Sequence, residues 1–361
     1  MRFSVATLSF ASLAALAAYT FAAPIKRTVS AVDLQVLQFA YVLELFETSF
    51  YTQALSVFQQ QDFINAGFQI ADVAIQQFQA IQIDETTHVS ILQSTISSLG
   101  ATPLSTCQFN FNAALQSVEI MAATARLVEN LGVSAYLGAA HLITDPILLT
   151  AAASIVTIEA RHQTLLNIFQ QGSAIPQAFD IPFMPSEVLA LASPFISGCD
   201  LGISAFPTLT VTNTEVITIG TTLSFSSVAI TSVENLFCQM IIGGSPFATV
   251  FPISSCVVPN VNGPVAIWIT SDSQPLLNNP RDRATDKFIA GPTMIFVDSS
   301  QDVLGQLARG SSSSLAGLTS SVPIGNTVIS TITPGQASAV ISSAFAGSTG
   351  LLTVDGLSPV H

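Results

Sequence analysis

Two short motifs in the first half of the chain each place a histidine three residues after a glutamate. One joins Glu85 to His88, and the other joins Glu159 to His162. On an α-helix, positions i and i+3 lie side by side, so each pair directs a carboxylate and an imidazole to the same point. An apolar helix has no packing reason to bury such groups. The spacing therefore predicts helices that share a polar binding site inside a bundle.

A lone glutamate precedes each pair, and a tyrosine follows each lone glutamate after seven residues. Glu44 precedes Tyr51, and Glu129 precedes Tyr136. The order indicates an internal duplication of a helical hairpin. Carboxylates are hard ligands and imidazole is a borderline one, so the set suits iron or manganese, and four carboxylates balance two divalent ions. We predict that two Fe or Mn ions bind six ligands, which are Glu44, Glu85, His88, Glu129, Glu159 and His162.

Alternatives remain open for several of these assignments. Glu47 lies one helical turn after Glu44 and is an alternative ligand, although only Glu44 repeats the spacing to a tyrosine. Tyr51, Tyr136 and Glu47 are expected to surround the ligands, where a tyrosine hydroxyl either bonds a carboxylate or only packs. The motif also permits a vestigial site that keeps its outline without metal.

The pattern of residues 33–171 is helical almost throughout, with few glycines or prolines. The boundaries of the helical segments are marked by glycine or proline, at Gly100, Pro103, Pro146 and Gly172. The predicted helices cover residues 33–60, 62–99, from 110 or 112 to 143, and 146–171. We therefore expect an all-α four-helix bundle over residues 28–174, with mostly antiparallel neighbours.

The second half of the chain changes to a β pattern. Residues 175–206 are rich in proline and are predicted to be a linker, and residues 207–300 are predicted to form a sandwich-like β-rich domain. Residues 301–361 are rich in Ser, Gly and Thr and are expected to be a flexible tail. The predicted strands cover residues 208–212, 215–219, 228–233, 247–253, 264–270 and 293–298.

Composition narrows the partners and the compartment. The chain has only nine Lys and Arg residues but 22 Asp and Glu residues, and its net charge is −13. Nucleic acid is therefore not expected as a partner, because phosphate recognition needs a basic surface. Residues 1–22 resemble a signal peptide whose apolar run is too short for a transmembrane anchor. We expect a secreted, extracellular protein, with Lys26-Arg27 either a processing site or an exposed basic pair.

The chain has four cysteines, an even number that suggests two disulfides in a secreted protein. We favour the pairs Cys107–Cys199 and Cys238–Cys256. Buried free thiols are the alternative. No spacing among these cysteines is typical of a zinc site.

Because of these motifs, residues 30–172 resemble the secreted ferritin-like proteins of fungi, the stress-responsive and desiccation-related group. The resemblance rests on Leu37–Glu47, Phe50-Tyr51, Asp84–His88, Glu129–Ala140 and Glu159–His162. It implies a ferritin-like four-helix bundle with a di-iron or di-manganese centre and leaves the activity of the group undefined. A β-rich domain and a tail follow the bundle, which departs from cage ferritins and argues against a mineral-storing shell.

Two functions are compatible with the sequence. The first is a metal-binding protein that oxidises iron or reduces O₂ or peroxide in a stress response. The second is a non-catalytic protein of the cell wall or of stress protection, with a vestigial site. The sequence leaves open whether the protein is an enzyme.

Overall fold

The computed structural model describes residues 29–300 and 302–309. The predicted signal peptide, the Lys26-Arg27 pair and most of the predicted tail lie outside these residues. Within them, a helical region is followed by a sheet-rich region, as the sequence predicts.

Four long helices form the first region, and a short helix lies between the first two. Ser30 caps the first long helix with a reciprocal hydrogen bond to Asp33, and Asp145 caps the last, which begins at Pro146. The helices are α1 (Ala31–Val57), α2 (Gln60–Asn65), α3 (Ala71–Ser98), α4 (Val118–Ala139) and α5 (Pro146–Phe169). A turn at Gly67, where φ is +88°, separates α2 from α3, so the predicted helix from residue 62 is two helices.

The four long helices do not simply alternate in direction. Helix α1 runs antiparallel to α3, and α4 runs antiparallel to α5, because later residues of one helix contact earlier residues of the other. Tyr51 of α1 contacts Glu129 of α4, and Asp33 contacts Thr144 beyond the end of α4, so α1 and α4 are also antiparallel. Helices α3 and α4 therefore run parallel, which requires residues 99–117 to cross the length of the bundle. One long crossover of this kind is found in ferritin-like bundles.

The crossover of residues 99–117 is fixed by a short β-ladder and a disulfide. A two-stranded ladder pairs β1 (Gln108–Phe109) with β2 (Ile196–Ser197), and the disulfide Cys107–Cys199 lies beside it. Helix α4 begins after Ser117, later than predicted, because residues 110–117 form turns around the buried Phe111.

A four-stranded antiparallel sheet forms the second region. Its strands, in spatial order, are β6 (Thr249–Pro252), β5 (Phe237–Ile242), β7 (Gly263–Thr270) and β8 (Phe288–Val297), and a separate pair joins β3 (Thr210–Val211) to β4 (Phe225–Ser226). Two predicted strands, 215–219 and 228–233, are not formed, and Val216 and Val228 there are 84% and 93% exposed. Strand β5 was not predicted, because its apolar run does not alternate.

Both faces of this sheet are covered, which explains why every residue of β7 is buried. Trp268 and Ala266 face helices α1, α4 and α6 (Pro185–Ala192). The opposite face packs on loop residues such as Leu209 and Leu223 and contains the disulfide Cys238–Cys256. Both disulfides are thus the pairs that the sequence analysis favours.

Two buried ion pairs link the sheet region to the helices. Arg126 of α4 donates to both oxygens of Asp298, which follows β8, at 2.8 and 2.7 Å. Arg283 donates to Glu187 of α6 at 2.6 Å. The last described helix, α7 (Val303–Arg309), lies against α5, where Arg309 donates to the carbonyl oxygen of Phe169. In the described ranges, no helix is long and apolar enough to span a membrane.

Candidate metal centre

Seven acidic and imidazole side chains meet in the middle of the four-helix bundle. The lone glutamates are on α1 and α4, and the Glu-x-x-His pairs are on α3 and α5. All are buried, and the seven are Glu44, Glu47, Glu85, His88, Glu129, Glu159 and His162. The six predicted ligands therefore lie together, because 3.6-residue periodicity places each on the inward face of its helix.

His88 contacts carboxylates from three helices. Its Nδ1 atom lies 3.1 Å from Glu44 Oε2, 3.1 Å from Glu85 Oε2 and 3.6 Å from Glu159 Oε1. The Nδ1 atom is therefore the ring nitrogen that faces the cluster.

His162 has a matching arrangement on the other side of the cluster. Its Nδ1 atom lies 2.9 Å from Glu85 Oε1 and 3.1 Å from Glu129 Oε2. Its Nε2 atom points outwards and lies 3.2 Å from Asp84 Oδ2. The sequence does not predict this contact of Asp84.

The side chains form two overlapping groups that have ligand geometry for a metal ion. Glu44, Glu85, His88 and Glu159 form one, and Glu85, Glu129, Glu159 and His162 form the other. Within each group, one ligand atom per residue lies within 4.8 Å of the others. Glu85 and Glu159 belong to both groups.

Three of the glutamates favour the neutral form in the absence of metal. Burial raises the pKa of Glu44 to about 8, although a hydrogen bond with His88 opposes the shift. Burial and the neighbouring charge of Glu85 raise the pKa values of Glu47 and Glu159 well above their ordinary values. Crowded carboxylates in a buried site therefore keep protons until a cation replaces them.

The histidines shift in the opposite direction and take the cationic form. Burial lowers the pKa of an imidazole, but hydrogen bonds and charge from Glu44 and Glu85 outweigh it and raise the pKa of His88 to about 10. Glu129 and Glu85 likewise raise the pKa of His162 to about 11 against burial. Burial opposes ionisation of Glu85, yet hydrogen bonds with both histidines lower its pKa to about 2.

The two tyrosines bond the lone glutamates across the bundle. Tyr51 donates to Glu129 at 2.5 Å, and Tyr136 donates to Glu44. Each tyrosine thus bonds the glutamate of the other hairpin, so the site has approximate two-fold symmetry. Burial, followed by the charge of these glutamates, raises the pKa values of both hydroxyls well above their ordinary value, which keeps them as donors.

The symmetry is broken at two positions. Glu47 lies three residues after Glu44, but Gly132 occupies the position three residues after Glu129. A Cβ atom on Gly132 would lie 3.0 Å from Glu47 Oε1 and 2.9 Å from Glu159 Oε2, so the glycine gives these carboxylates room. Asp84 precedes Glu85, whereas Ile158 precedes Glu159.

The residues fit a metal better than they fit a purely structural role. Both carboxylate oxygens of the fully buried Glu159 lack a hydrogen-bond partner among the described residues. Within the same residues, the cations at ion-pair distance from the five clustered glutamates are the two histidines alone. A buried carboxylate without a partner is costly, and a divalent cation would remove that cost.

The bundle topology and the buried carboxylate–histidine cluster define the class: a ferritin-like helical domain. Residues 32–171 match the family model for the ferritin-like domain, which covers less than half of the 361 residues. The chain therefore carries a ferritin-like domain at these residues. A comparison with curated proteins finds no match.

Proposed function

We propose that the bundle binds two iron or manganese ions bridged by Glu85 and Glu159. Glu44 and His88 complete one position, and Glu129 and His162 complete the other. The observation that supports the proposal most directly is the fully buried Glu159 at the centre of the cluster, because neither of its oxygens has a hydrogen-bond partner among the described residues. Carboxylate and imidazole donors suit both metals.

The side chains around the ligands each have a defined task in this proposal. Two such ions, when bound, would supply redox chemistry in which ferrous iron loses electrons and O₂ or peroxide accepts them. Tyr51 and Tyr136 orient Glu129 and Glu44 by donating hydrogen bonds. Asp84 holds the outer nitrogen of His162, so that Nδ1 stays directed at the centre.

Metal analysis of the full chain tests the proposal. Protein from iron-replete cells is expected to contain about two ions per chain, one in each group of four candidate ligands, with Glu85 and Glu159 common to both groups. The double variant Glu85→Ala, Glu159→Ala is expected to contain none and to lose the absorption that follows addition of ferrous iron in air. Far-ultraviolet circular dichroism of the same samples checks that the variant folds, because Glu85 also contacts both histidines.

The control is Glu119→Ala, which removes an exposed carboxylate at the start of α4. It is expected to keep the metal content of the natural sequence. Metal-free protein from iron-replete and manganese-replete cells would contradict the proposal, and so would equal metal content in the double variant.

We further propose that the protein is secreted and acts in a stress response, as the resemblance to the fungal group suggests. Two disulfides are consistent with an extracellular protein. A second candidate, a non-catalytic wall protein, is supported by the exposed Val216 and Val228 in the sheet region. Binding to wall polymer by both the natural protein and the double variant would favour the second candidate.

A further inference from the structure

An apolar cavity of about 170 Å³ lies inside the four-helix bundle, at the end where α1 begins. All four long helices contribute to its wall. Thr95 and Tyr136 are the only lining residues whose side chains contain a polar atom. No charged side chain lines it, so the cavity cannot stabilise an ion or a strongly polar molecule.

The cavity exists because small residues occupy positions where the other end of the bundle has large ones. Alanines supply part of the wall, at positions 40, 135, 139, 151 and 152. The opposite end is filled by aromatic rings, which include Phe46, Phe50, Phe63, Phe78, Phe111 and Phe169. Protein interiors are normally close-packed, and an empty apolar cavity destabilises the fold. A space of this size therefore needs an explanation other than packing.

The cavity adjoins the candidate metal centre. Ala40, Leu92 and Ile155 line it, and each lies four residues from Glu44, His88 or Glu159 respectively. Four residues are about one helical turn, which rises about 5.4 Å along the axis. Tyr136 lines the cavity and also donates its hydrogen bond to Glu44. A molecule in the cavity would thus contact a side chain that bonds a candidate ligand.

The wall of the cavity reaches the surface through two apolar side chains. Ile91 of α3 and Ile147 of α5 line it and are 54% and 55% exposed. They provide an apolar entrance between these two helices.

We propose that this cavity is a binding site for a small neutral apolar molecule, of the size of benzene or toluene, beside Tyr136. An apolar cavity of about 150 Å³ lined by aliphatic and aromatic side chains is known to stay dry and to bind benzene, so the volume and the lining agree with this ligand class. The proposal extends the proposed function by naming what binds next to the metal centre. Binding itself does not depend on metal, because the wall contains none of the seven clustered side chains.

Toluene is the probe for the first experiment, which uses the full chain with and without metal. The methyl NMR signals of Leu92 and Ile155 are expected to shift saturably with toluene, and those of Ile267, in the sheet, are not. Ala152→Leu fills the cavity from α5 and is expected to weaken toluene binding by about tenfold or more. Ala153→Leu adds the same atoms on the exposed side of the same helix and is expected to leave the affinity within about twofold.

The outcomes separate this proposal from the metal proposal. Metal content, measured on the same samples, is expected to be the same in Ala152→Leu as in the natural sequence. If Ala152→Leu does not fold, Thr95→Leu fills the cavity from α3. Absence of saturable shifts in the natural protein, or equal affinities in the cavity variant and in Ala153→Leu, would overturn the apolar site and leave the metal proposal untouched.

Discussion

At the scale of single residues, the two histidines differ in the contact made by the ring nitrogen that faces away from the cluster. His162 uses Nδ1 towards the glutamates and donates from Nε2 to the half-exposed Asp84. His88 has Ile158 at the position that corresponds to Asp84. A carboxylate on the outer nitrogen fixes the ring and raises its basicity as a ligand, so the two ion positions are expected to differ in affinity.

Asp84→Ala is expected to weaken binding of one of the two ions by about tenfold or more, because His162 loses the group that orients it. Titration with manganous ion, which does not oxidise readily, measures the two affinities. Asp72→Ala, at the start of the same helix, is the control and should bind both ions as the natural protein does. Equal affinities in the two variants would show that Asp84 has no orienting role.

Metal binding is expected to release protons and to become tighter as pH rises. The pKa values of about 10 for His88 and about 11 for His162 mean that both rings are protonated in the metal-free protein near neutral pH. Glu44, with a pKa of about 8, also holds a proton there. Each ligand must lose its proton to bind a cation, so protons compete with metal less as pH increases.

Calorimetric titration with manganous ion, in buffers that differ in ionisation enthalpy, counts these protons. We expect at least two released per chain, one from each imidazole, and an affinity that rises between about pH 6 and pH 8. An affinity that is constant over this interval, with no proton release, would show that the two imidazoles are already neutral in the metal-free protein.

The sequence predicted that the six candidate ligands lie together because their spacing follows the helical period and repeats. Glu47 was recognised as a neighbour by the same rule. The roles of Gly132 and Asp84 were not predicted, since a glycine in a helix and an exposed aspartate have no distinctive pattern. The need for a glycine at position 132 is visible only in the folded bundle, where Glu47 of α1 and Glu159 of α5 lie against it.

At the scale of elements, α4 connects the bundle to the segment that leads into the sheet. Gly138 lies against the backbone of Phe183, and the amide of Phe183 donates to the carbonyl oxygen of Ser134 at 2.9 Å. Phe183 is fully buried, and its ring meets Trp268 edge-on at 5.8 Å. A side chain at position 138 would overlap this backbone, so the glycine permits the close approach.

Gly138→Ala is expected to destabilise the protein by about 1–3 kcal/mol, although alanine is the better helix former by about 1 kcal/mol. The overlap is with backbone atoms, which cannot rotate away. Urea unfolding of the metal-free protein measures the change. Leu137→Ala, a substitution at the neighbouring and partly exposed position, should cost less, and a stabilised Gly138→Ala protein would contradict the close approach.

The long helices were predictable because the helical period agrees with the glycines and prolines at their ends, as at Gly100 and Pro146. The separate helix α2 and the late start of α4 were not, because they depend on tertiary contacts around Phe63 and Phe111. Strand β5 was missed for a similar reason. Its residues are buried on both faces of the sheet, which removes the alternation that marks a strand.

At the scale of the whole molecule, a buried cation joins the bundle to the sheet region. Arg126 lies three residues before Glu129, and its guanidinium bonds Asp298, Asn167 and the face of the Phe296 ring. The side chain of Arg126 is 3% exposed, so these partners offset the cost of burying its charge. The sheet region thereby supports the helix that carries a candidate ligand.

Asp298→Ala is expected to cost about 2–3 kcal/mol of unfolding free energy. Breaking a buried pair costs about 3–5 kcal/mol, and we reduce this because Asp298 is 26% exposed. Urea unfolding followed by far-ultraviolet circular dichroism for the helices and by the single tryptophan, Trp268, for the sheet measures it. Asp282→Ala removes an exposed pair with Arg281 and should change little.

In the natural protein, the helix and sheet signals are expected to change together, because the two regions share buried contacts. Two separated transitions, or an Asp298→Ala protein as stable as Asp282→Ala, would show that the regions fold independently.

The crossover of residues 99–117 has an evolutionary consequence. Two identical hairpins that associated as separate chains would form an exact dyad, and every substitution in one would appear in the other. Joining them in one polypeptide removes that constraint. Gly132 opposite Glu47, and Ile158 in place of a second Asp84, are changes that a fused gene can accumulate on one side alone. A duplicated hairpin within one chain would thus let the two halves of the candidate site diverge.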